Sequence, residues 1–192
     1  MTITNLDMSR EKLITVYEIP EFTEGDPYIR IPSVIDRAVS TMREDRETGE
    51  YITLWEEKLR YPYKTKVATK LIVKTTKRAY TFILKLDDSL SFCWNGQNLP
   101  IIFWSFLGIS KDSPCGLTAS KWHDNLLYYK KEFLKEIRAE IPQYTIGEFR
   151  RLTSLIFRQL LVNNGVGRIK ACIMSYFVDM WQRVSPKWHG VK

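Results

Sequence analysis

The chain has 192 residues, of which 44% are hydrophobic and 13% aromatic; only 9 are glycine and 8 proline, and the formal net charge is +7. This composition supports a packed core and excludes collagen-like, low-complexity and wholly disordered proteins. No apolar run reaches the roughly 18 residues that cross a bilayer, no secretory signal or transmembrane segment is visible, and three widely spaced cysteines predict a reducing compartment.

Basic and acidic residues are unevenly distributed along the chain. Residues 1–58 contain 7 basic and 13 acidic side chains, whereas residues 59–192 contain 22 basic and 9 acidic ones. We therefore predict two parts, with 1–58 as an acidic N-terminal arm that is partly ordered and 59–192 as a single basic α+β domain. The basic part should attract polyanions, namely nucleic acid, an anionic lipid surface or the acidic arm of another copy.

Residues 61–94 predict a small antiparallel β-meander. Polar and apolar residues alternate over 63–74, so that the lysines at even positions face outward and the odd positions face inward. A polar turn leads to a second strand over 79–86, with Tyr80, Phe82, Leu84 and Leu86 on one face. Another polar turn leads to a third strand over 90–94. The dipeptide Asn95-Gly96 then marks a further turn.

The remainder of the chain is predicted to pack several helices on the meander, which places the protein in the α+β class with its C-terminal third helical. Apolar periodicity and stop signals predict a buried helix or strand over 101–107, a loop over 109–119, and helices over 122–140, 145–162 and 166–184. Thr145 and Glu148 have the spacing of a capping box. In the last helix, the apolar stripe expected to face the core comprises Ile169, Ile173, Phe177 and Trp181.

Side chains that carry catalytic chemistry are sparse. The two histidines, His123 and His189, are too far apart for a local metal motif, and no phosphate loop or dinucleotide fingerprint is present. The glycines of segment 165–168 are better explained by a turn between helices than by a phosphate site. Cys93 and Cys172 lie among apolar residues, as core cysteines do. We therefore predict a non-enzymatic protein without cofactor or metal.

The strongest candidate site is a basic run, since no Asp or Glu occurs from Leu59 to Leu86. This predicted membrane or ribonucleoprotein site comprises Lys58, Arg60, Lys64, Lys66, Lys70, Lys74, Lys77 and Arg78. An edge strand whose lysines prevent aggregation would explain two or three of them, whereas an adhesive face for lipid or RNA explains all eight. A secondary basic cluster is predicted near the 122–140 helix and comprises Lys121, Lys130, Lys131, Lys135 and Arg138.

Three segments in the middle of the chain resemble the core of rhabdovirus matrix proteins. They are the basic strand 70–78, the tripeptide Trp94-Asn95-Gly96, and Leu99-Pro100 followed by the apolar segment 102–108. The sequence departs from that family in lacking a Pro-Pro-x-Tyr budding motif, in carrying an acidic arm in place of a lysine-rich tail, and in its helical C-terminal half. The resemblance is therefore to a divergent member.

The resemblance implies a viral matrix-type structural protein that self-associates and bridges the inner face of an anionic membrane to the ribonucleoprotein, supporting virion assembly and budding. Self-association would join the acidic arm of one copy to the basic body of the next. The expected location is the virion interior beneath the envelope, and in the host cell the cytoplasm and its membranes, with the nucleus as an open alternative.

A second class of function stays open from the sequence alone. It is a basic nucleic-acid-binding regulator, such as a viral silencing suppressor or a transcriptional regulator, that uses the helices over 145–162 and 166–184 as a recognition pair. The apolar character of the last helix leaves little surface for base contacts and counts against this function. A scaffold that binds another protein is a third alternative.

Overall fold

The computed structural model describes residues 12–20, 29–30, 42–44, 51–53, 63–65, 68–86, 91–94 and 114–184. The strands in these ranges are β1 Leu13–Pro20, β2 Ile29–Arg30, β3 Met42–Glu44, β4 Tyr51–Thr53, β5 Tyr63–Thr65, β6 Thr69–Thr75, β7 Ala79–Ile83 and β8 Phe92–Trp94. The helices are α1 Pro114–Tyr128, α2 Lys130–Glu140, α3 Ile146–Asn163 and α4 Arg168–Val184. The α+β class and the helical C-terminal region are as predicted, while the apolar segment 101–107 lies outside the described residues.

Strand pairing in the described ranges is antiparallel and forms three sheets. The first has the order β1-β6-β7, the second β2-β5-β8, and the third contains β3 and β4. β6 and β7 form the predicted hairpin, with Val73 opposite Tyr80. Two details differ from the prediction, since β5 and β6 belong to different sheets and β8 pairs with β5. Alternation is a local property of the sequence, whereas the choice of partner strand depends on distant residues.

β1 belongs to the same folded unit as the C-terminal part of the chain. It pairs along its length with β6, with Val16 opposite Val73. The side chain of Val16 is buried in the core, and its carbonyl accepts a hydrogen bond from Asn163 Nδ2 on α3 at 2.6 Å. A boundary at residue 58 therefore does not separate β1 from the body of the protein.

One hydrophobic core lies between the inner face of the first sheet and the helices. The sheet contributes Val16, Leu71, Val73, Tyr80, Phe82 and Leu84, and the helices contribute Trp122, Leu126, Phe133, Leu134, Phe149, Leu152, Ile156, Leu160 and Met174, among others. The rings of Phe82 and Phe133 meet edge to face at 5.5 Å, which is a favoured aromatic geometry. The inward and outward positions predicted for β6 and β7 are thus confirmed.

The predicted helix over 122–140 consists of two helices, α1 and α2, which are separated at Tyr129. α1 begins at Pro114, inside the predicted loop over 109–119, and proline is tolerated in the first turn of a helix. Asn125 joins α1 to Lys85, two residues after β7, because its side chain accepts a hydrogen bond from the Lys85 amide at 3.2 Å and donates one to the Lys85 carbonyl at 2.8 Å.

α3 begins at the predicted capping box. Thr145 Oγ1 accepts a hydrogen bond from the Glu148 amide at 3.1 Å, and Glu148 Oε2 accepts one from the Thr145 amide at 2.7 Å. The helix ends at Asn163, and Gly165 follows with φ +91°, a left-handed conformation that glycine adopts without steric cost. The break between α3 and α4 is therefore a turn between helices, as predicted.

α4 buries a different face from the predicted one. The residues that pack inward include Ala171, Met174 and Ser175. Of the predicted core stripe, Ile173 is partly buried and packs against the core, whereas Ile169 is 79% exposed and Trp181 is 70% exposed. The prediction was wrong because the more hydrophobic side of this helix is the side that faces away from the core.

Candidate functional site

The residues of the predicted basic site do not lie on one surface in the structure. Four of the eight residues lie together on one hairpin, namely Lys70 and Lys74 on β6 and Lys77 and Arg78 in the turn before β7. Lys64 lies apart, on β5 in the second sheet. The remaining three, Lys58, Arg60 and Lys66, lie outside the described residues.

Apart from Ile14, which is exposed at an irregularity in the pairing of β1, nine residues of β1, β6 and β7 point away from the core in register, and we call them the outer sheet face. The strand register places them in three rows, which are Thr15–Lys74–Ala79, Tyr17–Ile72–Thr81 and Ile19–Lys70–Ile83. Neighbouring strands are about 4.8 Å apart, so residues within a row are close neighbours. Lys70 therefore stands between two isoleucines, and none of the nine residues is acidic.

Large apolar side chains are exposed on the outer sheet face. Tyr17 is 44% exposed, Ile19 43% and Ile83 47%. The two residues from β1 were not predicted, because residues 1–58 were interpreted as an acidic arm and no strand was predicted in it. The alternation of Thr15, Tyr17 and Ile19 with the inward residues between them was the signal that could have found this strand.

The position of β6 decides between the two explanations for its lysines. Lysines protect a sheet when they lie on an edge strand whose backbone groups would otherwise pair with another chain. β6 is bonded to β1 on one side and to β7 on the other, so it has no open edge. The edge-protection explanation is therefore wrong for Lys70 and Lys74.

The turn between β6 and β7 is held by the hydroxyl group of Thr75. Thr75 Oγ1 accepts hydrogen bonds from the amides of Lys77 at 3.3 Å and Arg78 at 3.1 Å, and it donates to the carbonyl of Arg78 at 2.8 Å. The residue before β1 lies alongside, because the Thr76 amide donates to the carbonyl of Lys12 at 2.8 Å. This end of the first sheet therefore groups basic residues from two parts of the chain.

The structure corrects the predicted placement of Lys121 in the secondary basic cluster. Its side chain is fully buried, and its Nζ lies 2.5 Å from Glu18 Oε1 on β1. Burial lowers the pKa of Lys121, and the neighbouring Glu18 carboxylate acts in the opposite direction by favouring the charged amine. Lys121 therefore joins α1 to β1 and is not part of a surface for polyanions. The sequence gives no local sign of this pair, since the two residues are 103 positions apart.

The other members of the secondary basic cluster lie on α2. Lys131, Lys135 and Arg138 are spaced by four and three residues and so follow one side of the helix, with Lys130 at its start. The guanidinium of Arg138 donates through Nε to the carbonyl of Tyr144 at 2.8 Å. Three glutamates, Glu132, Glu136 and Glu140, alternate with these basic residues in the helix sequence. Such mixed charge is typical of a solvated helix surface, and it distinguishes α2 from the acid-free outer sheet face.

A polar network connects α1, α3 and α4 inside the helical layer. Gln182 Nε2 donates to the ring of His123, and the Ser154 hydroxyl lies 3.4 Å from Gln182 Oε1 and 3.5 Å from Asp179 Oδ1. The Ser175 hydroxyl donates to the carbonyl of Ser154 at 2.8 Å. Ser154 and Gln182 are buried, so this network joins the three helices.

Two further observations concern the predicted chemistry. Cys93 is buried as predicted, whereas Cys172 is exposed on α4, so its prediction as a core residue was wrong. Within the described ranges, no group of three or more His, Cys, Asp and Glu side chains has an arrangement that could hold a metal ion.

Comparison with known proteins gives no assignment. No protein-family model, curated protein or solved structure matches this chain. None of the helices that the structure describes combines the length and apolar character needed to cross a membrane.

Proposed function

We propose that the protein is a matrix-type structural protein that binds the surface of an anionic membrane peripherally through the outer sheet face. The observation that supports this function is the combination of exposed Tyr17, Ile19 and Ile83 with Lys70 and Lys74 among nine outward-facing residues that include no Asp or Glu. Apolar side chains of this size enter the headgroup region of a bilayer, while lysines beside them contact lipid phosphates.

The expected energies fit reversible binding. A basic residue near an anionic leaflet contributes about 1 kcal/mol, so the four basic residues of the hairpin supply at most roughly 4 kcal/mol. Full burial of a large apolar side chain contributes about 1.5–3 kcal/mol, and the half-exposed Tyr17, Ile19 and Ile83 would each contribute on the order of 1 kcal/mol. Two such weak signals acting together are what stable peripheral binding requires.

A lipid surface fits the outer sheet face better than RNA does. Single-stranded nucleic acid binds where aromatic rings stack on successive bases, and Tyr17 is the only aromatic residue among the nine. Isoleucine cannot stack on a base but suits the apolar boundary of a headgroup layer. The nucleic-acid-binding regulator is also disfavoured by α4, whose exposed side is apolar.

The wider matrix role follows from the sequence resemblance and stays a prediction, including the bridge to a ribonucleoprotein, budding and location beneath a viral envelope. The predicted contact between the acidic arm of one copy and the basic body of another also stays a prediction. It can involve only the parts of the arm other than β1. The segment Leu13–Pro20 is paired with β6 of the same chain.

Vesicle flotation tests the proposed function. We expect the protein to float with vesicles that contain phosphatidylserine and much less with vesicles of phosphatidylcholine alone. The Lys70→Glu/Lys74→Glu variant should lose at least tenfold in apparent affinity, because two attractive charges become repulsive ones. The matched control is Lys131→Glu/Lys135→Glu, which makes the same charge change on α2 and should stay within about twofold of the wild type.

Two outcomes would contradict the proposal. One is equal binding by the wild type and the Lys70→Glu/Lys74→Glu variant. The other is salt-sensitive binding of single-stranded RNA by the same face without any binding to anionic vesicles, which would assign the outer sheet face to nucleic acid.

A further inference from the structure

The exposed side of α4 carries an uninterrupted apolar stripe. Its exposed members are Ile169, Tyr176, Met180, Trp181 and Val184. Phe177 and Ile173 lie between them and are partly buried, and Ile173 also packs against the core. Tyr176 is 66% exposed, which is comparable with Ile169 and Trp181 at the two ends of the helix. The stripe contains no charged residue and extends for about 22 Å at 1.5 Å per residue. We call it the α4 stripe.

The exposed area of the α4 stripe is large for a small protein. Full burial of an aromatic side chain removes roughly 150–250 Å² of surface from water. Tyr176 and Trp181 therefore each expose on the order of 100–150 Å² to solvent. When the aliphatic members are included, the exposed area of the stripe is on the order of 500–600 Å². This is near the upper limit for the largest apolar patch on a typical monomer. A standard interface buries about 800 Å² on each partner, which the stripe and the polar residues beside it would provide.

The spacing of the α4 stripe is symmetric about its middle. Ile169 and Val184 are equally distant from the point between residues 176 and 177, and so are Ile173 and Met180, and Tyr176 and Phe177. Two copies of the helix packed antiparallel would therefore place the members of these three pairs opposite each other, with Trp181 opposite Cys172 of the other copy. A two-fold interface requires a surface that is complementary to itself in this way.

We propose that a second copy of this chain covers the α4 stripe, and that the two copies form a two-fold dimer through antiparallel α4 helices. The contact places Ile169 of one copy beside Val184 of the other, with Tyr176 and Phe177 near the two-fold axis. α4 packs on the helical layer, on the opposite side of the core from the outer sheet face. The dimer is therefore independent of the proposed membrane binding, and either can fail while the other holds.

Sedimentation velocity over a range of protein concentrations tests the dimer. The wild type should show a monomer–dimer equilibrium, and Tyr176→Asp/Met180→Asp should weaken it at least tenfold because two charges per copy enter the centre of the contact. The matched control, Ile19→Asp/Ile83→Asp, introduces the same charges at exposed apolar positions of the outer sheet face and should leave dimerisation within about twofold. Circular dichroism checks that each variant retains the wild-type helix content.

Cysteine crosslinking tests the antiparallel direction. In a Cys115→Ser/Cys172→Ser background, which keeps only the buried Cys93, Ile169→Cys and Val184→Cys are made as separate proteins. A mixture of the two should give a disulfide-linked dimer under mild oxidation, and neither protein alone should do so, since the two residues meet only across the axis.

Three results would overturn the proposal. They are a wild type that is monomeric at all concentrations tested, a dimer that is lost in the Ile19→Asp/Ile83→Asp control and kept in the α4 variant, and crosslinking of each cysteine variant with itself, which would indicate parallel helices.

Discussion

The buried pair between Lys121 and Glu18 predicts a large and specific loss of stability when Glu18 is replaced by glutamine. The side chain of Lys121 is fully buried and that of Glu18 is 18% exposed, with 2.5 Å between Nζ and Oε1. Removing one partner of a buried pair costs about 3–5 kcal/mol, because the other charge is left in a medium of low polarity. Because Glu18 is partly exposed, we expect the free energy of unfolding to fall by about 3 kcal/mol, at the lower end of this range.

The exposed pair between Lys85 and Glu136 is the matched control for this change. Its two atoms are also 2.5 Å apart, but the side chains are 31% and 56% exposed. Glu136→Gln therefore makes the same chemical change where water screens the charges, and it should cost less than about 1 kcal/mol.

Urea denaturation followed by circular dichroism measures the free energy of unfolding of each variant. The double variant Glu18→Gln/Lys121→Met removes both charges and should recover to within about 1 kcal/mol of the wild type. A Glu18→Gln variant no less stable than Glu136→Gln would refute the reasoning. So would a double variant less stable than Glu18→Gln alone, since that would mean that the buried pair is strongly stabilising in itself.

Three further predictions concern stability. The lowered pKa of Lys121 means that, between that pKa and its ordinary value of 10.5, the unfolded chain binds more protons than the folded one. The free energy of unfolding should therefore rise with pH in that interval more steeply in the wild type than in Lys121→Met, as measured by urea denaturation at a series of pH values. Thr145→Ala removes the capping box and should cost about 1 kcal/mol in the same assay, whereas an unchanged midpoint would mean that the start of α3 is held by other contacts. Gly165→Ala should cost about 1–2 kcal/mol because its φ is +91°, while Gly167→Ala, which also has open space around its added methyl group, should change stability by less than about 0.5 kcal/mol; equal effects would contradict the argument from backbone conformation.

Features that depend on neighbouring residues could be predicted from the sequence. The alternation in β6 and β7 and the capping box at Thr145 both appear in the structure, because each follows from spacing within about ten residues. Pairings between distant segments could not be predicted in this way. The contact of β1 with β6, the pairing of β5 with β8 and the burial of Lys121 against Glu18 each depend on a partner far along the chain.

The candidate site shows the same division. The lysines of β6 were identified from the sequence, and their outward direction is correct for Lys70 and Lys74. Their neighbours on the surface were not identified, because Tyr17 and Ile19 reach them only through the non-local pairing of β1. In α4 the rule that the most apolar stripe faces the core gave the wrong side, since Ile169 and Trp181 are exposed. That rule assumes a helix whose every contact is made within its own chain.

The pairing of the first strand with a distant one has a consequence for the order in which the protein acquires its structure. Pro20 pairs with Thr69 and Leu13 with Thr75, so β1 leaves the ribosome well before the strand that receives it. The β6–β7 hairpin closes through a short turn and forms early, whereas β1 must join it by closing a long loop, which is slower. During this interval the receiving edge of β6 is open to the first strand of any other nascent copy, and an exchanged dimer of that kind is the misfolded product to expect when synthesis is crowded.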